Sequence, residues 1–91
     1  MFTITGNRGF TMTFDNCWTV SVQWGAGNYC ANHSMSLSTF GQPVTPSPTA
    51  EIAAWDANDI WYRGDDWGDD VKGYVNADDV AKFIAMIQAK P

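Results

Sequence analysis

A chain of 91 residues, 45% hydrophobic and 14% aromatic, has room for one domain whose core needs neither metal nor disulfide staples. Ten acidic against five basic residues give a net charge of −5, which argues against direct nucleic-acid binding and suits a soluble monomer or a protein that meets a basic partner. No apolar run approaches the roughly 18 residues that span a membrane, residues 1–25 lack a signal-peptide pattern, and two cysteines favour a reduced compartment. The expectation is a single intracellular domain over residues 1–91 that touches no membrane.

The chain opens with three alternating runs, "FTIT" (2–5), "GFTMTF" (9–14) and "WTVSVQW" (18–24). Period-2 alternation is the signal of half-buried strands. Phe2, Ile4, Phe10, Met12, Phe14, Trp18, Val20, Val22 and Trp24 share one face; Thr3, Thr5, Thr11, Thr13, Thr19, Ser21 and Gln23 share the other. Parity fixes the register, because cross-strand partners lie on one face. A two-residue turn at Asp15-Asn16 would put Trp18 on the wrong side. A three-residue loop over 15–17 pairs Phe14 with Trp18, Met12 with Val20 and Phe10 with Val22. By the same test Ile4 faces Phe10 and Phe2 faces Met12. Such a loop ends on a left-handed residue, normally glycine, so Cys17 is expected at positive φ.

Residues 25–49 lose the periodicity and read as loop, with a short strand near "SMSLSTF". "AEIAAWD" (50–56) and "IWYR" (60–63) read as a second hairpin across "DAND". "GDDWGDD" (64–70) is a loop and "VKGYV" (71–75) a short strand. "NADDVAKFIAMIQAK" then spells a helix: an Asn76 N-cap, Asp79 at the capping-box position, acids in the first turn and a Val80, Phe83, Ile84, Ile87 stripe. The helix needs a surface and the aromatic sheet face needs a cover. The fold is therefore α+β: a single antiparallel sheet, built from a three-stranded N-terminal meander plus a second hairpin, packed by one C-terminal helix.

"WGAGNYCANH" (24–33) supports several chemistries on paper. Gly25-Ala26-Gly27 follows a strand, but no helix start comes after it to aim at a phosphate. Cys30 and His33 could act as nucleophile and base, though no oxyanion device accompanies them, and one histidine with two cysteines falls short of a zinc set. As structure, the glycines let the chain leave a twisted strand, Asn28 and Asn32 form side-chain turns, and Tyr29 and Cys30 pack at the rim of the core. As a recognition loop, Asn28, Tyr29, Asn32 and His33 present polar edges and rigid contact area.

"GDDWGDD" sets Asp65, Asp66, Asp69 and Asp70 around Trp67. The closing glutamate of an EF-hand is missing, so calcium is not indicated. Eight of the ten acids lie between Asp56 and Asp79, against Arg63 and Lys72. A solvated acidic turn competes with an acidic docking loop anchored by Trp67. Neighbouring strand residues face opposite ways, so Trp61 and Tyr62 cannot both enter the core. Trp55, Trp61, Tyr62 and Arg63 are the candidates for a ligand pocket.

The run "GFTMTFDNCWTVSVQWGAGNYCANH", with the ending "VKGYVNADDVAKFIAMIQ", resembles small proteins of unassigned function encoded by tailed bacteriophages and prophages. In them an N-G-x-T-V-S-[VI]-Q-x-G-x-G-N-Y-C core recurs. The match covers about half of the chain and departs at Cys17, where glycine would stand. It supplies no catalytic residues. The resemblance implies an accessory protein of the host cytoplasm, and inhibition of host defence is a frequent role among phage proteins of this size.

The functional expectation is a non-enzymatic protein, without metal or cofactor, that blocks a host factor with a basic surface, such as a CRISPR-type immune component. Its partner-binding residues would be Asp65, Asp66, Trp67, Asp69, Asp70, Asn28, Tyr29, Asn32 and His33. The first alternative is a nucleotide-sequestering pocket of Trp55, Trp61, Tyr62 and Arg63. The second is a small hydrolase using Cys30 and His33.

Overall fold

In the computed structural model, residues 1–6, 8–25, 28–31 and 46–91 are described. The expected strand in "SMSLSTF" lies outside them. The alternating runs form strands β1 (Phe2–Ile4), β2 (Gly9–Thr13) and β3 (Thr19–Gln23). They are followed by β4 (Thr49–Trp55), β5 (Lys72–Asn76) and the helix α1 (Ala77–Gln88). The five strands make one sheet in the order β1-β2-β3-β4-β5, antiparallel throughout.

The register follows from side-chain parity. Phe2 faces Met12 and Ile4 faces Phe10; Phe10 then faces Val22 and Met12 faces Val20. The β2–β3 connection is the three-residue loop, closed by Phe14 N–H donating to Trp18 O at 2.9 Å and Cys17 N–H to Phe14 O at 2.9 Å. Cys17 sits at φ 68, in the left-handed region that glycine occupies without strain. The turn at 56–60 repeats this design. Asp56 N–H donates to Ile60 O, Asp59 N–H donates to Asp56 O, both at 3.0 Å, and Asp59 has φ 59.

Beyond that turn the structure differs from a simple second hairpin. Trp61 forms a bridge with Trp55, and Tyr62 N–H donates to Ala54 O at 2.8 Å, but the ladder stops there. Tyr62 turns into an aromatic cluster beneath α1, and the acidic residues that follow are solvated. The chain returns to the same edge of β4 as β5, pairing Val75 with Ala50 after a register shift between Ala50 and Ile52. The outer edge of β4 is thus covered in two pieces, with residues 64–71 bulging out between them.

The sheet's apolar face and α1 enclose the core: Val20, Val22, Ala50, Ile52, Ala54, Val75, Phe83 and Ile87. Asn76 caps the helix, its side chain accepting from Asp79 N at 2.9 Å. The helix contacts β3, β4 and β5. Its other end is fixed from far away in sequence. The Asn16 amide nitrogen, in the β2–β3 turn, donates to the carbonyls of Ile87, Gln88 and Lys90 at 3.0, 3.2 and 2.9 Å. Its Oδ1 meanwhile accepts from Trp18 N at 3.0 Å. Carbonyls at a helix C-terminus lack partners within the helix, and one side chain here serves two of them together with the Lys90 carbonyl just beyond. Lys90 completes the corner, its ammonium 5.0 Å from the centre of the Trp18 ring and 5.4 Å from that of Tyr62.

Three outcomes follow for unfolding measured by denaturant titration. Cys17→Gly relieves the left-handed strain and raises stability by about 1 kcal/mol. Asn16→Ala lowers it by about 2 kcal/mol through the lost carbonyl bonds. Asn16→Asp lowers it further, because a carboxylate has no donor and meets the negative pole of the helix.

Candidate binding surface

No periodicity marks residues 64–71, yet the loop has a defined seat. Trp67 folds inward, its ring 5.3 Å from that of Tyr62 and 5.5 Å from that of Phe83 on α1. Tyr62 and Phe83 close the triangle at 5.8 Å. Edge-on and tilted packing at these distances adds to the gain from burying the rings. Gly64 leaves the necessary room, since a Cβ there would lie 2.7 Å from the indole. The sequence alone did not expose the roles of Gly64 and Phe83. The glycine three residues ahead of Trp67 is the one local feature tied to this seat, and no local pattern marks Phe83 as its partner.

With the indole turned inward, the carboxylates face solvent. Asp65, Asp66, Asp69 and Asp70 are all exposed. Asp66 pairs with Lys72 at 3.3 Å and Asp70 with Arg63 at 3.5 Å. Both pairs are open to water and contribute little to stability. Asp65 and Asp69 form no ion pair among the described residues. Asp69 instead accepts the backbone N–H of Asp70 at 2.7 Å. Trp67 thus anchors the loop from beneath rather than standing out as a contact residue.

Residues 24–25 and 28–31 are held just as firmly. Gly25 takes φ 85, and Asn28 donates its amide to Trp24 O at 2.8 Å, so this asparagine forms a side-chain turn. Cys30 is fully buried, with its sulfur 3.1 Å from the Gly25 nitrogen. The next residues dock on β4: Tyr29 N–H donates to Glu51 Oε2 at 2.9 Å and Ala31 N–H to Thr49 Oγ1 at 2.8 Å. Tyr29 O then accepts from Tyr74 N at 2.8 Å, and Tyr29 lies so close to Gly73 that a Cβ there would collide with it. Tyr29 stays 58% exposed. Gly27, Asn32 and His33 lie outside the described residues.

The two loops, 40 residues apart in sequence, therefore meet at β5. Tyr29 rests against Gly73 from the face that carries Glu51, while Asp66 is tied to Lys72 from the helix side. The result is a rim around one edge of the sheet that carries the exposed Tyr29 and Tyr74 and the four loop carboxylates.

The alternative ligand residues diverge. Trp55 and Trp61 stack on each other, with ring centres 4.8 Å apart, and Trp61 is 42% exposed. Tyr62 lies in the aromatic cluster beneath α1, and Arg63 reaches out to Asp70. A cavity of about 260 Å³ does open between α1 and the sheet, lined by Val22, Trp24, Ala50, Val80 and Ile84 among others, but none of the four borders it. Among the described residues, no cluster of His, Cys, Asp and Glu has metal-binding geometry.

The packing separates the two exposed-looking tryptophans by experiment. Trp67→Ala should cost about 2 to 3 kcal/mol in urea unfolding and loosen the loop to proteolysis, whereas Trp61→Ala should cost less than half as much. Equal losses would mean that Trp67 is not the loop's anchor. No family model, curated protein or solved structure matches this chain.

Proposed function

We propose that the chain is a binding module that occludes a basic surface on a host protein, with the rim around β5 as its contact. The observation that carries this reading is the acidic loop's construction. Its one aromatic side chain, Trp67, packs against the core, so its carboxylates are presented on a fixed support. A preorganised charged surface loses little conformational freedom on binding and steers association with an oppositely charged partner. Tyr29 adds rigid aromatic area beside the acids, and tyrosine is among the residues enriched at binding hot spots.

The class of partner comes from the resemblance to phage-encoded proteins. On that reading the site of action is the host cytoplasm and the target a component of bacterial immunity. Catalysis is not part of the proposal. Cys30, the nucleophile candidate, is fully buried against Gly25 and offers no thiol to a substrate. Nucleotide capture has no converging residues to support it, since Arg63 and Lys72 are paired with aspartates of the same loop.

The test is differential capture from bacterial lysate. Tagged wild-type protein is compared with the double variant Asp65→Lys, Asp66→Lys, and bound proteins and small molecules are both identified by mass spectrometry. The expected result is a stoichiometric protein that the wild type retains, that salt weakens and that the double variant loses. The variant itself should unfold within about 1 kcal/mol of wild type, because the ion pair it breaks is solvent-exposed. Equal retention by both proteins would remove the acidic loop from the interface. A co-purifying nucleotide without a protein would end the occlusion reading.

A further inference from the structure

The opposite edge of the sheet is built differently, and we propose that it pairs β1 with β1 of a second copy of this chain. Three observations converge on it.

The first is unsatisfied apolar surface. Phe2 and Ile4 project from the same face as Met12 and the core residue Val20, yet they are 71% and 80% exposed. The helix packs over β3, β4 and β5 and stops short of this edge.

The second is the direction of the backbone. Met1 and Thr13 exchange hydrogen bonds at 2.8 and 2.9 Å, and Thr5 N–H donates to Gly9 O at 2.9 Å. Hydrogen-bonded and non-hydrogen-bonded pairs alternate along an antiparallel ladder. Thr3 is therefore a hydrogen-bonded partner of Thr11, and Phe2 and Ile4 direct their N–H and C=O groups outward. A two-fold axis at Thr3 sets Phe2 of each copy opposite Ile4 of the other. That register supplies four main-chain hydrogen bonds and places all four apolar side chains on one continuous face.

The third is charge. Edge strands are normally guarded by a lysine, a proline or a bulge, and β1 has none of these. Residues 1–24 hold one acid and one base, Asp15 and Arg8, while eight of the ten acids lie at 56–79. Two copies can thus meet along β1 with their acidic rims at the two far ends. Strand-mediated association with any other chain would use the same edge groups, but only self-pairing gives Phe2 and Ile4 a complement already fixed in register. The contact is small, so association is weak and concentration-dependent.

Sedimentation equilibrium of the full chain reads this directly. The weight-average mass should rise from 10.0 kDa toward twice that value as concentration increases into the millimolar range. Ile4→Lys should hold it at the monomer value with unchanged thermal unfolding, because Ile4 is largely exposed. Crosslinking checks the register in a Cys17→Gly background. Facing Thr3 residues would have Cα atoms about 4.5 Å apart, within disulfide reach, so Thr3→Cys should oxidise to a covalent dimer. Ile4→Cys should not, since two copies of residue 4 lie beyond about 7 Å in that register. A mass that stays at 10.0 kDa at every concentration overturns the proposal. So does Ile4→Lys that still dimerises, or Ile4→Cys that crosslinks as readily as Thr3→Cys.

Discussion

Asn16 joins two parts of the chain that would otherwise be positioned only by apolar contact. Its amide spans from the tight turn of β2–β3 to the last carbonyls of α1, more than 70 residues away. Hydrophobic burial is nondirectional and would hold the helix anywhere along the apolar face. Three hydrogen bonds at one end and the Asn76 cap at the other give it a single course, from the end of β5 to the β2–β3 turn. The three-residue loop matters for the same reason. With Cys17 in the left-handed region the turn closes, and Asn16 is aimed at the helix rather than at solvent.

A helix of 12 residues is about 18 Å long, comparable to the width of five strands. Running diagonally, it leaves one corner of the apolar face bare and crowds the other. The crowded corner gathers Tyr62, Trp67 and Phe83 and supports the acidic loop. The bare corner holds Phe2 and Ile4. The sheet's two edges are thus chemically unlike because of where the helix is pinned, and each edge suits a different kind of contact. The threonine-rich face needs no such cover, since Thr13 and Thr19 share a hydroxyl hydrogen bond at 2.9 Å and Gln23 reaches Thr5 and Ser21 at 3.2 Å.

What the sequence made legible was whatever depends on local period. Alternation over residues 2–24 gave the meander, its register and the strained Cys17, because one misplaced residue would flip every side chain to the wrong face. The Asn76 cap and the Val80 to Ile87 stripe gave the helix. Contacts between distant segments were less accessible. Trp61, Tyr62 and Arg63 alternate like a strand, but Tyr62 is drawn into a cluster with Phe83, 21 residues on, and the pairing ends. β5 carries Gly73 and a left-handed Tyr74 at φ 57, and its irregular pairing with β4 reflects the docking of Tyr29, which no local pattern announces. The seat of Trp67 depends on a gap at Gly64 and a ring on the helix, so its inward course could not be read from the acidic run around it. For the proposed binding surface, the sequence named the two loops; that they meet at β5 is a property of the fold.

The split cover of β4 also has an evolutionary consequence. Residues 64–71 leave one edge of the sheet at Tyr62 and rejoin the same edge at Lys72, so the ends of the segment are held whatever lies between them. Doubling such a loop costs only about 0.6 kcal/mol of closure entropy. One indole under the loop is enough to give its outer residues a fixed place. The segment therefore behaves as a cassette. Its length and charge can change at little cost to the fold, while the meander and helix that carry it remain under strict geometric constraint.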